Sequence, residues 1–331
     1  MPSPVSSPPS EPLRRPADYD EPLWGRDTWP FLVAVQSGDE ATVRRMLAHD
    51  QSLAHGEYAY LQPLHYAVKG GSASMVRLLV DAGADPLAEG WSGRFGSEMR
   101  DDTPLARARD RGVPEIIAVL EEAAAGKPRS VARERKAPST PQRELEDQMM
   151  QICHRGDIGA AIEMIDPHPG IAQAGLYEAV HQNHPELVRI LLQSGAKATT
   201  AWRWACWYTP LMHSLRYAEP RYEIAQMLLD DGVDPNETNG LGMTTLHILA
   251  AEGTLDAARW LLDRGADIHA RDAQYESTPL AWAARAGRVG MVRFLLSRGA
   301  RIVADDDEPW STPIAWARRR GHVQIVEMLG G

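Results

Sequence analysis

The sequence predicts an all-α solenoid: helix-turn-helix units, about nine of them, stacked side by side with hairpin fingers projecting between them. Three observations carry this. The segments TTLHILAAEGTLDAARWLLDRGAD from Thr244, TPLAWAARAGRVGMVRFLLSRGAR from Thr278 and TPIAWARRRGHVQIVEMLGG from Thr312 align without gaps, which sets Leu246, Leu280 and Ile314 34 residues apart. Within each copy apolar residues recur at helical spacing, as Val292 does with Leu295 and Leu296, so each helix has one stripe to bury. Neither helix of a unit can cover its stripe alone, and units must therefore stack into a quasi-one-dimensional array.

In chain order, residues 1–21 open with MPSPVSSPPSEPLRRP, too rich in Pro and Ser to bury a core, and are expected to form a disordered tail. Residues 22–125 are expected to hold about three units. Their markers are PFLVAVQSGDEATVRRMLAHD from Pro30, QPLHYAVKGGSASMVRLLVDAGADP from Gln62 and TPLARARDRGVPEIIAVLEE from Thr103. Residues 126–141 carry Lys127, Arg129, Arg133, Arg135 and Lys136 among prolines. They read as a solvated linker, with a basic docking segment as the alternative. Residues 142–331 then supply about six more units.

Each unit has local reasons for its shape. Thr and Pro at the head of TPL supply an N-cap oxygen and a first-turn residue that needs no N–H. Gly253, Gly287 and Gly321 end the first helix, and Gly83, Gly195, Gly232, Gly265 and Gly299 end the second. Trp282 and Trp316 hold equivalent places, which argues for stacking within the array.

The pattern, with its T-P-L-H-x-A signature, resembles the ankyrin-repeat family. The likeness covers residues 27–122 and 143–331. It implies that His65 and His247, at the H of the signature, hydrogen-bond between neighbouring fingers, and that partners bind on the concave side made by fingertips and first helices.

The fingers depart from the average. GWSGRFGSEMRDD stretches the Leu64 to Leu105 interval to 41 residues and contains Trp91 and Phe95. TTAWRWACWY holds Trp202, Trp204, Trp207 and Tyr208, and further fingers hold Tyr275 and the run DDDEPW with Asp306 and Trp310. Arg285, Arg319 and Arg320 stand just before the inter-helix glycines. Aromatics and arginine dominate interface hot spots, so these twelve residues form the expected partner-binding surface.

Signals for chemistry are sparse. His181 and His184 lie in HQNHPE with an H-x-x-H spacing, but a turn falls inside it and no third ligand is near. Cys153 and His154 are adjacent and cannot face one point on a helix. Arg155-Gly156-Asp157 reads as the ordinary inter-helix turn, like Ser37-Gly38-Asp39. No phosphate loop, dinucleotide fingerprint, nucleophile elbow or zinc-protease motif occurs, so no enzyme, metal or cofactor is implied. A formal charge of -10 opposes nucleic acid and anionic lipid, and no apolar run is long enough to span a bilayer. Two cysteines and the lack of a secretory leader suggest a reducing, cytoplasmic setting; lysine at only four positions suggests a GC-rich bacterial genome. The expectation is a monomeric, non-catalytic scaffold or adaptor for a protein partner. A carbohydrate or small-ligand binder using finger tryptophans, or a translocated effector, are the alternatives.

Overall fold

The computed structural model describes residues 27–56, 61–88, 103–125, 140–199, 208–216, 219–239, 242–273, 275–304 and 308–330. The expected tail, residues 126–139 of the expected linker, and the expected site residues Trp91, Phe95, Trp202, Trp204, Trp207 and Asp306 lie outside them. The chain divides into two compact units, Met1–Pro138 and Ser139–Gly331.

Among the described residues the first unit has six helices: α1 (Thr28–Ser37), α2 (Glu40–His49), α3 (Pro63–Gly70), α4 (Ala73–Asp81), α5 (Pro104–Arg111) and α6 (Pro114–Ala124). The second has twelve: α7 (Pro141–Arg155), α8 (Ile158–Ile165), α9 (Ala172–His181), α10 (Pro185–Gln193), α11 (Pro210–Leu215), α12 (Tyr222–Asp230), α13 (Thr245–Glu252), α14 (Leu255–Leu262), α15 (Pro279–Arg285), α16 (Val289–Ser297), α17 (Pro313–Arg320) and α18 (Val323–Met328). Consecutive helices pack in pairs. In the second unit the first helices of the pairs, α7, α9, α11, α13, α15 and α17, each pack on the next and form one layer. The second helices, from α8 to α18, form the other. No strand occurs among the described residues; an isolated bridge joins Thr238 and Thr244 at the base of one finger. Among the described residues each unit is thus an all-α stack of helix pairs of the solenoid kind, as the periodicity predicts.

The caps act where the sequence places them. Thr103, Thr209, Thr278 and Thr312 each accept, through the side-chain oxygen, the N–H three residues on, and proline follows each of them. Asp39 and Asp157 cap α2 and α8 in the same way, so Arg155-Gly156-Asp157 is a turn whose aspartate starts a helix. Gly156 adopts φ +73°, a region costly for any residue with a Cβ. Asn183 takes the corresponding left-handed conformation between α9 and α10 at φ +62°, as asparagine can.

Between the layers of the second unit one apolar core runs from Met149 to Leu329, with Leu246, Leu280 and Leu295 fully buried. Burying a leucine is worth about 1.5–3 kcal/mol, and the contribution recurs in every pair. Gly175 on α9 leaves no room for a side chain against α7: a Cβ there would lie 2.5 Å from Cys153 Sγ.

Side chains also clasp one pair to the next. His184, Arg221, Arg288 and His322 are the N-cap residues of α10, α12, α16 and α18. Each reaches back to carbonyls at the end of the preceding pair's first helix. Arg221 Nη1 donates to Val180 O and His181 O at 2.7 Å each, and Arg288 Nε to Ala251 O at 2.9 Å. His322 Nε2 is 3.1 Å from Arg285 O and His184 Nε2 is 3.4 Å from His154 O. These bonds satisfy C-terminal carbonyls that no intrahelical N–H can reach.

Candidate interaction face

The layer of first helices in the second unit presents two aligned rows. One place, two residues before the turn, is held by His154, His181, Arg216, Ala251, Arg285 and Arg319 in successive pairs. One helical turn earlier stand Gln151, Glu178, His213, Ile248, Trp282 and Trp316. Residues three apart on a helix are neighbours, so the rows lie side by side.

At α15 and α17 the rows form an arginine and aromatic stack. Trp282 and Trp316 are buried, in agreement with their regular spacing. The Trp282 indole N–H donates to Asp272 Oδ2 at 2.9 Å and that of Trp316 to Ser277 Oγ at 2.9 Å. Tyr275, expected at an exposed fingertip, is instead only 4% exposed. Its finger folds back because Asp272 accepts the N–H groups of Tyr275 and Ser277, and Glu276 takes φ +52°. The Tyr275 ring then meets Trp282 and Trp316 edge-on, at 73° and 87°. Arg285 is half-buried among them, its guanidinium carbon 4.5 Å from the Tyr275 centroid, 5.0 Å from Trp282 and 4.7 Å from Trp316. Arg319, exposed, covers Trp316 at 4.1 Å and donates to the Trp310 carbonyl. Trp310 is half-buried against Trp316, and Arg320 is exposed.

Toward α9 and α11 the same rows are polar and titratable. Glu178 Oε1 is 2.7 Å from His154 Nδ1 and accepts Gln182 Nε2 at 2.8 Å. His181, together with His154 and Gln182, holds the Glu178 carboxyl down at about 2, against the opposing effect of burial. His213 is 6% exposed. Burial first, then its neighbours His181, Arg216 and Arg221, push it down to about 3, so it is neutral. Tyr177 Oη is hydrogen-bonded to His213 Nε2 at 2.6 Å. Tyr208, half-buried, packs edge-on against His213 at 5.2 Å and lies beneath Arg216, whose guanidinium carbon is 4.1 Å from the ring centroid. Arg216 Nε and Nη2 both donate to Glu252 Oε1, at 3.1 and 3.0 Å.

Of the expected site residues, the structure thus brings Tyr275, Arg285, Trp310 and Arg319 together, and places Tyr208 on the same layer three pairs earlier than Trp316. His154, Glu178, His181, His213 and Glu252 join them on this face and were missed as members of it. Their signal is positional: each stands two, five or one residue before the turn, the register that holds Arg285, Trp282 and Arg320.

His181 and His184 do not converge. His181 lies against Gln182 and the His213 ring, whereas His184 turns to the His154 carbonyl. No group of three or more His, Cys, Asp or Glu is arranged for a metal ion among the described residues. The Cys153 thiol is fully buried and pushed up to about 12, by burial first and then by Glu178, so it is no nucleophile. Among the described residues no helix is long and apolar enough to cross a membrane.

Stacked pairs of short helices with Thr-Pro caps, interlocked fingers and a side-chain-rich first-helix layer define a repeat protein of the interaction-module kind. The family model for ankyrin repeats in three copies matches residues 211–306 and 246–330, and the single ankyrin-repeat model matches 61–91; the chain is an ankyrin-repeat protein. It is 33% identical over 123 residues to the B-cell lymphoma 3 protein homolog of Mus musculus, a stretch covering 36% of this chain and 27% of that one. It is 36% identical over 96 residues to the potassium channel KOR1 of Oryza sativa subsp. japonica, covering 29% and 10%. The chain therefore spans less than a third of either relative. Ankyrin repeats generally mediate protein–protein interactions and are typically non-catalytic.

Proposed function

We propose that the protein is a monomeric, non-catalytic scaffold or adaptor that holds a partner protein on the first-helix face of its second unit, together with the adjoining fingers. The observation that carries this reading is the fixed placement of Arg285 and Arg319 on the rings of Tyr275, Trp282 and Trp316. Arginine side chains hold about 2 kcal/mol of rotamer entropy, and a guanidinium already resting on rings loses less of it when a partner arrives. Such preorganised arginine and aromatic groups are what interface hot spots use. A sugar-stacking role draws no support from Tyr275, Trp282 and Trp316, which are buried and meet edge-on. The Cys153 thiol, too basic to ionise, offers no nucleophile for an enzyme. A cytoplasmic, bacterial setting fits the low cysteine and lysine content.

Site-specific photocrosslinking in native cells tests the assignment. A crosslinkable residue in place of Arg320 should trap one discrete protein. The same residue in place of Arg293, in the other helix layer, should not. Equal yields from both layers would remove the reason for choosing this face.

A further inference from the structure

On α10, α12, α14, α16 and α18 the fifth residue is polar and the sixth apolar: Arg189 and Ile190, Gln226 and Met227, Arg259 and Trp260, Arg293 and Phe294, Glu327 and Met328. The sixth side chains pack on the core, while Arg189 and Arg259 at the fifth place hold ion pairs with Glu223 and Asp256. On α8 the order is reversed. Ile162 takes the fifth place and is 44% exposed; Glu163, also exposed, takes the sixth. Ile158, one turn before Ile162, is 38% exposed. Of the exposed large apolar side chains Ile158, Ile162, Leu255, Val303 and Val323, the first two alone share a helix among the described residues. Residues four apart on a helix form a ridge, and this one runs on from Ile158 and Ile162 to Asp166. Gly159 adds no side chain beside it; a Cβ there would meet Asp157 Oδ1 at 3.7 Å. The span DIGAAIEMID, residues 157–166, holds three carboxylates and no basic residue. Among the described residues the Glu163 and Asp166 side chains have no hydrogen-bonded or ion-paired partner.

We infer that α8 is a docking surface for a basic amphipathic helix of a partner protein, which lays an apolar i, i+4 ridge along Ile158 and Ile162 and sets its Lys or Arg residues against Glu163 and Asp166. Ile162 serves the interface, because the equivalent place in the other five pairs does without an apolar side chain. A ridge of residues four apart accepts the same ridge of a second helix, so the matching element is helical. The charge then selects among helices. Three carboxylates around an apolar pair attract cations and turn away an anionic lipid surface or a nucleic acid. Because the ridge ends in Asp166 with Glu163 beside Ile162, the partner's cations fall about one turn beyond its apolar pair. This surface lies in the second-helix layer, four pairs before the Arg293 that serves as control for the first-helix face.

Fluorescence anisotropy on the full chain tests this with three labelled helical peptides. One carries leucines at i and i+4 with lysines one turn beyond, the second has glutamates in place of the lysines, and the third has the first one's composition with its leucines on opposite faces. The first should bind at least about tenfold more tightly than the other two, the range expected when close charge pairs form at an interface. Ile162→Arg, which installs the residue type that Arg189, Arg259 and Arg293 place there, should lower that affinity by at least about tenfold and leave the melting temperature unchanged. Glu163→Gln with Asp166→Asn should weaken binding and flatten its dependence on salt. No binding of the first peptide, equal binding of either other peptide, or parental affinity in both variants overturns the inference. The Arg320 crosslink reads the other layer, so the scaffold reading stands or falls separately.

Discussion

The indole N–H of Trp316 donates to the hydroxyl of Ser277, 2.9 Å away and one repeat earlier in the chain. Ser277 is a junction. Its hydroxyl reaches the Ser311 carbonyl at 3.1 Å, its own carbonyl accepts from His247 Nε2 at 3.0 Å, and its N–H is taken by Asp272. Three successive pairs meet at this 2%-exposed serine.

Ser277→Ala should therefore cost about 1–3 kcal/mol, because a buried indole N–H is left without its acceptor. Trp316→Phe in the Ser277→Ala background should cost less than in the parent. Urea denaturation of the four proteins in the cycle measures the coupling, and strictly additive losses would show that the bond contributes nothing.

Acid should loosen the second unit before the Glu178 carboxylate titrates. His213 is held at about 3 when folded, against 6.5 in the free side chain, so the unfolded chain takes up its proton first. Its contribution is complete above 6.5 and is lost as pH falls toward 3. Glu178, held at about 2 against 4.5, adds a second loss below 4.5. His213→Gln should flatten the melting-temperature profile between pH 6.5 and 4.5. A variant as acid-sensitive as the parent in that window would exclude His213 as the source.

Glu237 acts in the opposite sense. Burial, with Asp234 adding to it and Thr209 opposing, raises its carboxyl to about 7 from 4.5. A raised acid favours the folded state when protonated, so its stability is complete below 4.5 and declines as pH rises through 7. Glu237→Gln should melt higher than the parent at pH 8 and equally at pH 4. Calorimetry at the two pH values decides this; a difference that does not depend on pH would place the effect in packing.

The clasps can be tested at Gly156. A Cβ there meets both φ +73° and the His184 ring, whose Cε1 lies 2.7 Å away. Gly156→Ala should lose about 1–2 kcal/mol to backbone strain and more to the ring. Adding His184→Ala should return only the second part. Full recovery in the double variant would mean that the backbone conformation is not the constraint.

Much of this fold is written locally, and that is why it is legible. A threonine hydroxyl three residues from the N–H it caps, or a glycine ending a helix, depends on no distant partner. The fate of Tyr275 was not legible in this way, since finger length alone does not say whether a ring projects; it turns inward because Asp272 takes two N–H groups of its loop. The polar half of the face escaped notice for a related reason. His154, His181 and His213 look like isolated histidines until the repeats are aligned on their turns, and only then do they fall into the rows that hold Arg285 and Trp282. His184, adjacent in sequence to a tempting metal spacing, serves the previous pair.

The backward reach of His184, Arg221, Arg288 and His322 has a consequence for how the array comes apart. In a linear chain of coupled units, total stability is the sum of what each unit has by itself and what each boundary adds. These four side chains belong to the boundaries. Weakening one of them leaves the intrinsic term of every unit in place and lowers a single coupling, so neighbours on either side begin to melt independently. The resulting sign is a broader transition with a shallower denaturant slope, whereas a core leucine removed from one unit mainly moves the midpoint. Cooperativity along the second unit therefore resides in a residue type that composition cannot reveal: the one that follows the turn.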